Sequence, residues 1–211
     1  MGRAELGETT VVEPDTDPRP LVAELIDDGG LYRALVLIHQ EGRFGRIVVF
    51  PRRGTGPPTI AELQREDHRR LDDLADQACR LLAMDPLRAV AKAHELSIGL
   101  RRHGAAEEAI LFPPYEAEFG LTRTSATAVV EREHRGIHHY LDRIVAAAEA
   151  VAGAKPQDHG IAIAEVLRLM KALGTLLEVH MEKEEHAMFP QLDQHLDEAA
   201  RNEILRRLVL F

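Results

Sequence analysis

The chain has almost no cysteine and few aromatics: one Cys, no Trp, three Tyr and six Phe in 211 residues. The single Cys79 excludes an intrachain disulfide, a CxxC redox pair and any thiolate cluster. A core with 4% aromatics has to be aliphatic, and the abundance of Ala and Leu after the first quarter of the chain favours helix. No apolar run approaches the roughly 18 residues that span a bilayer. Positive charge is also short. A net charge of −9 argues against a general nucleic-acid or anionic-membrane surface, so neither partner is expected. The first residues carry no apolar signal core, and Leu6 stands where a myristoylation signal needs Ser or Thr. The reading is a cytoplasmic protein.

Against that background two stretches stand out. Residues 173–190 read LGTLLEVHMEKEEHAMFP, and Leu173, Leu177, His180, Glu184 and Met188 recur at steps of three and four on one helical face. Residues 96–113 read LSIGLRRHGAAEEAILFP and put Leu96, Leu100, His103, Glu107 and Leu111 in the same places, offset by 77 throughout. A polar group buried without a partner costs roughly 2–7 kcal/mol. A His and a Glu on each inward stripe therefore call for a compensating ligand, and a metal ion suits them. Pro113 and Pro190 close both stretches, and the expectation is that each proline ends its helix.

Taken in order, residues 1–58 form an N-terminal extension with a possible β-hairpin: Leu31–His39 and Arg46–Arg52 are β-rich runs, followed by the linker RRGTGPPT. Residues 21–28 suit one short helix, the first 20 a loosely docked lead-in, and His39 a strand-end surface residue. Residues 59–211 read as helical. Thr59 with Glu62 makes a capping box for a helix to about Met84; a second helix runs from Pro86 to Phe112. The segment PPYEAEFGLTRT reads as a loop, and two further helices are expected from Ser125 to about Val151 and from about Ile161 to Phe189. A short helix over about 197–210 closes the chain. The first and third helices echo each other, Glu66–Leu71 against Arg132–Ile137. The fold expected is all-α, an up-down four-helix bundle with a short C-terminal helix.

The inward polar set is His68, His103, Glu107, His134, His138, His180 and Glu184, drawn from all four helices. Two glutamates facing two divalent cations leave net positive charge for an oxide, hydroxide or peroxide. If both glutamates bridge, with one hydroxide, His134, His138 and His180 complete six ligands on one metal. His68 and His103 give the other metal five ligands, so one position is open to a diatomic. Mixed nitrogen and oxygen ligation without thiolate suits iron or manganese and fits four-coordinate zinc poorly.

This set resembles the hemerythrin family, including its bacterial HHE cation-binding members. The match rests on His68 in the first helix, His103-x-x-x-Glu107 in the second, His134-x-x-x-His138 in the third, His180-x-x-x-Glu184 in the fourth, and the two E-E-x-x-[ML]-F-P endings. The resemblance covers about residues 60–208. It implies two iron ions with a bridging oxo or hydroxo group, with the five histidines as terminal ligands and Glu107 and Glu184 as bridges. Oxygen carriers of the family close their last motif with Asp five residues after His; here Glu184 follows four after, as in the wider HHE group. The His134/His138 pair is the carriers' pattern. The extension lacks the paired cysteines of relatives linked to iron-centre repair.

Three functions follow: a protein binding O2 or NO for storage or sensing; an enzyme reducing O2 or peroxide or oxidising a small substrate, to which Tyr140 is a candidate contributor; or an iron-responsive module whose residues 1–58 meet a protein partner. Glu108, Glu185, Asp67 and Glu133 either accept from a ligand imidazole or face solvent. His94, His139, His186 and His195 read as surface or groove residues. Leu71, Ile137, Leu177 and Met188 should wall the site.

Overall fold

Helix α1, Ile60–Leu81, starts where Thr59 and Glu62 exchange backbone-to-side-chain hydrogen bonds, the capping box expected there. Asp85 caps α2, Pro86–Ala106, through the Arg88 N–H, with a proline just inside. After the short α3, Phe112–Phe119, Ser125 caps α4, Ala126–Gly153, and α5 follows as His159–Lys183. The molecule is a computed structural model that describes residues 59–155 and 157–211 in full apart from the side chains of residues 209 and 210; of the first 58 residues it describes three strands. The expected short helix at 21–28 and His39 lie outside the described residues.

Contacts across the bundle fix its direction. His103 meets Asp67 and Gly99 faces Leu71; Glu108 meets His134 and Arg101 meets Asp142; Glu133 meets His180 and Arg143 meets Glu165. In each pair the residue number rises on one helix as it falls on the other, so neighbours are antiparallel. The ring order is α1, α2, α4, α5, an up-down bundle. Its core is aliphatic, as the shortage of aromatics required: Leu71, Leu96, Leu100, Ile137, Leu141, Ile144, Leu169, Leu173 and Leu177 share one buried cluster.

The prolines do not end their helices. Glu107–Leu111 and Glu184–Met188 are single wide π-turns in which the Phe112 and Phe189 N–H groups reach back five residues to the Glu107 and Glu184 carbonyls. Helix then resumes as α3 and as α6, Phe189–His195. A proline cannot donate to the carbonyl four residues back, and its ring crowds that group; the widened turn moves the carbonyl aside, so the chain stays helical. The expected loop PPYEAEF is therefore α3. It ends at Gly120, whose φ of 81° suits glycine. The Tyr115 hydroxyl donates to Gln191, tying α3 to α6.

The chain divides into two compact units, residues 64–195 and residues 1–63 with 196–211. In the second, strands β1 (Thr9–Val12), β2 (Tyr32–Ile38) and β3 (Gly45–Pro51) form an antiparallel sheet in the order β1-β3-β2. The β2–β3 pair is the expected hairpin; β1 was not expected. Helix α7, Glu198–Leu210, capped by Asp197, packs against β2. It supplies cover that two or three strands need. Among the described residues no helix is long and apolar enough to cross a membrane.

Candidate metal centre

Six polar side chains meet in the middle of an apolar bundle because each sits one turn from a buried aliphatic neighbour on its own stripe. Leu71, Leu100, Ile137 and Leu177 form the layer on one side, and Leu111 and Met188 lie four residues beyond Glu107 and Glu184 on the other. The His68, His103, His134 and His180 residues are at most 5% exposed, and Glu107 and Glu184 are fully buried.

The donor atoms fall into two groups that share both carboxylates. His68, His103, Glu107 and Glu184 make one; Glu107, His134, His180 and Glu184 make the other. Glu107 turns Oε1 toward His103 Nε2 at 3.3 Å and Oε2 toward His134 Nε2 at 3.1 Å. Glu184 turns Oε2 toward His68 Nε2 at 3.4 Å and Oε1 toward His180 Nε2 at 3.0 Å. Each carboxylate thus spans the two imidazole pairs. Yet Glu107 Oε1 and both Glu184 oxygens make no hydrogen bond among the described residues. Buried carboxylate oxygens that approach nitrogens without aligned hydrogens are acceptors aimed at a shared point, which is what two cations between the imidazole pairs would occupy. The residues present therefore fit a metal pair.

The outer imidazole nitrogens are all held. His68 Nδ1 lies 2.6 Å from Glu185, His103 Nδ1 3.0 Å from Asp67, His134 Nδ1 2.7 Å from Glu108 and His180 Nδ1 3.2 Å from Glu133. Each therefore turns Nε2 inward. Phe112 stacks on the His134 ring and Phe189 leans on His68.

The seventh expected ligand, His138, belongs to neither group. The reason is directional. On α2 and α5 the residue four after His runs toward the carboxylate level. Helix α4 is antiparallel to both, so four residues after His134 run away from it. His138 lies at the level of Arg101, whose guanidinium donates to the His138 carbonyl, and its half-buried ring has Nε2 without a hydrogen-bond partner. The expected split of three histidines and two includes His138, whereas the two groups of converging donors hold two histidines each. Tyr140 packs half-buried against the core cluster, beside His139. His94, His186 and His195 are exposed, with polar partners Glu149, the Glu182 carbonyl and Glu118.

The hemerythrin HHE cation-binding domain matches residues 59–192. The chain belongs to the hemerythrin family. Comparison with curated proteins and with solved structures gives no match. This family is one of cation-binding helical domains, and the His/Glu groups of this hemerythrin domain could hold metal.

Without metal the centre holds protons unevenly. Burial opposes charge on His103, but Glu107 and Asp67 outweigh it and keep its pKa well above the usual imidazole value. His134 is raised against the same burial penalty by Glu107 and Glu108. Burial wins at His180, which falls to about 4, and at Glu184, which rises to about 7 with help from the Glu107 charge. Glu107 itself is held well below the carboxylate range, its burial penalty overcome by His103 and His134.

Two residues escaped the sequence reading. Gly104 follows His103, and a Cβ there would sit 3.2 Å from three atoms of the His134 ring. The His-Gly pair on an inward stripe was the signal. Gln64, one turn before His68, is 5% exposed, and its Nε2 has no partner among the described residues.

Proposed function

We propose that this hemerythrin domain binds two iron ions and takes up O2 or NO reversibly at them, as a cytoplasmic store or sensor. The observation that carries the reading is the pair of shared carboxylates, Glu107 and Glu184, each offering one oxygen to each imidazole pair. Proposed as ligands are His68, His103, His134, His180, Glu107 and Glu184. Iron, when bound, supplies redox-active cations with affinity for both diatomics.

The chain's own groups do the rest. Neutral imidazoles add no charge, so two carboxylates leave a bound cation pair net positive and receptive to a reduced ligand. Each cation would be held by two histidines and one oxygen from each glutamate, a donor set that would leave room for a small molecule. The aliphatic layers exclude water and mobile protons, which favours release of the diatomic over its reduction. Mixed nitrogen and oxygen donors with no thiolate suit iron, or manganese by the same rules, ahead of structural zinc.

Oxygen titration tests this. The protein is loaded with two equivalents of ferrous iron anaerobically, exposed to O2, followed by visible spectroscopy, and then evacuated. A charge-transfer band that appears and reverses, with O2 recovered, is expected. A band that decays to a stable diferric state with O2 consumed would replace the binding reading by an oxidase or peroxidase. An unfolded metal-free chain would make it an iron-responsive module.

A further inference from the structure

The four outer carboxylates are arranged as more than four separate supports. Asp67 of α1 holds His103 of α2; Glu108, in the turn after α2, holds His134 of α4; Glu133 of α4 holds His180 of α5; and Glu185, in the turn after α5, holds His68 of α1. Each helix, with the turn that extends it, thus gives its imidazole to one neighbour and its carboxylate to the other. The links run once around the bundle and close.

Three links are secured from outside. Arg70 bonds Asp67, Lys183 bonds Glu133, and Arg65 lies 3.3 Å from Glu185. Glu108 has no cation within ion-pair reach among the described residues, and its side chain is 45% exposed, against 24% for Glu185 and less for the other two. The sequence gives the reason. Arg65 lies three residues before His68; three residues before His134 stands Glu131. An acid occupies the place of the clamp.

We propose that Asp67, Glu108, Glu133 and Glu185 are positioning residues forming a closed ring that sets the four imidazoles inward before any cation binds, and that this ring has one weak link, His134–Glu108. The inference rests on the metal-centre reading for its purpose, but the ring itself is a property of the metal-free chain. A preformed centre needs no folding step to take up its cations. The weak link sets where an imidazole can turn outward.

The test is histidine-selective 15N NMR of the metal-free protein, with metal content measured separately on the same samples. Four slowly exchanging Nδ1–H protons are expected, with that of His134 the fastest of the four. Glu131→Arg should slow its exchange about fivefold, the worth of one partly exposed ion pair, while Glu131→Gln should not. Arg65→Glu should speed exchange at His68 by a similar factor. Asp67→Ala should free the His103 Nδ1–H, and Asp67→Asn, which keeps an acceptor, should retain it. Unprotected Nδ1–H protons at these histidines would overturn the ring. Equal exchange at His68 and His134, or no response to Glu131→Arg, would overturn the weak link. A protein that passes these tests yet binds no metal would sink the metal-centre reading and leave the ring standing.

Discussion

The α1–α2 half and the α4–α5 half of the bundle match residue for residue where they face the centre and diverge one layer out. His68 answers to His134, His103 to His180, Glu107 to Glu184, and even Phe112 to Phe189. Behind them the correspondence fails. Arg65 faces Glu131 across the pseudo-repeat, Arg70 faces Gly136, Gln64 faces Val130, Asp72 faces His138, and Gly104 faces Met181. Two equivalent cation positions, as proposed, would demand the same donors at the same height, which would leave the inner layer little freedom. The outer layer needs only to hold imidazoles in place: an acid does so in both halves, and the residues that back those acids differ. Function specific to this chain is therefore to be sought in the mismatches.

The harshest way to break the comparison is to remove a shared atom. Under the proposed ligation, Glu107→Ala and Glu184→Ala would each take a ligand from both positions at once. Either variant should fall from two metals per chain to fewer than one, measured by metal analysis after desalting. A variant that keeps two metals would show that its carboxylate does not bridge. Because the two glutamates are equivalent by position, unequal losses would mean that the halves differ inside as well as outside.

Gly104 gives a one-sided perturbation. A methyl group at 3.2 Å from the His134 ring leaves a ring pinned by Phe112 and Glu108 to yield by a few tenths of an ångström. Gly104→Ala should weaken the position held by His134 and His180 about tenfold, the lower end of what disturbing a ligand's support costs, and leave the His68/His103 position filled. Met181, its counterpart, already carries a long side chain, so Met181→Leu should change neither. Differential titration with ferrous or cobaltous ion separates the two positions. Equal weakening at both would mean that the shift spreads through the shared carboxylates.

Protons compete with metal at one imidazole in each half. His103 and His134 have raised pKa values, while His180 has lost its proton above about pH 4 and Glu184 titrates near 7. Ligands bind metal only when deprotonated. Loading at neutral pH should therefore release protons, and apparent affinity should rise as pH increases through neutrality, then flatten. Calorimetry in buffers of different ionisation enthalpy counts those protons. Release of none would mean that metal enters an already deprotonated site.

Much of this was legible in the sequence for a definite reason. The 77-residue offset repeats side chains whose burial is unfavourable without a ligand, and helical periodicity places such residues without further information. Helix starts were legible because Thr59, Asp85, Ser125 and Asp197 cap by local chemistry. The π-turns were not, since a proline after a helical stripe reads as a stop, and only the packed bundle shows that the chain widens one turn and continues. For His138 periodicity gives a face and says nothing of height; the antiparallel direction of α4 sets that. The choice between solvent and imidazole for Asp67, Glu108, Glu133 and Glu185 was likewise a question about the neighbouring helix, which one helix's pattern does not contain.

Gln64 offers the mildest test of the two halves. Val130 fills the equivalent place with an apolar side chain that is fully buried. Gln64 brings an amide whose N–H2 has no acceptor among the described residues. An unsatisfied buried donor costs about 1–3 kcal/mol, and replacing it by an apolar group of similar shape is neutral to stabilising. Gln64→Leu should then raise the unfolding free energy of the metal-free protein by about 1 kcal/mol, the low end of that range, read as a higher urea midpoint with unchanged slope. A fall in the midpoint would show that the amide has an acceptor after all. The place to look is the π-turn Glu184–Met188, which antiparallel packing sets at the height of Gln64, because a widened turn leaves helix carbonyls without their usual N–H partners. Stabilisation without metal together with weaker ligand uptake when loaded would mean that the unpaired amide serves the centre, and that the two halves are unequal in what they offer a bound molecule.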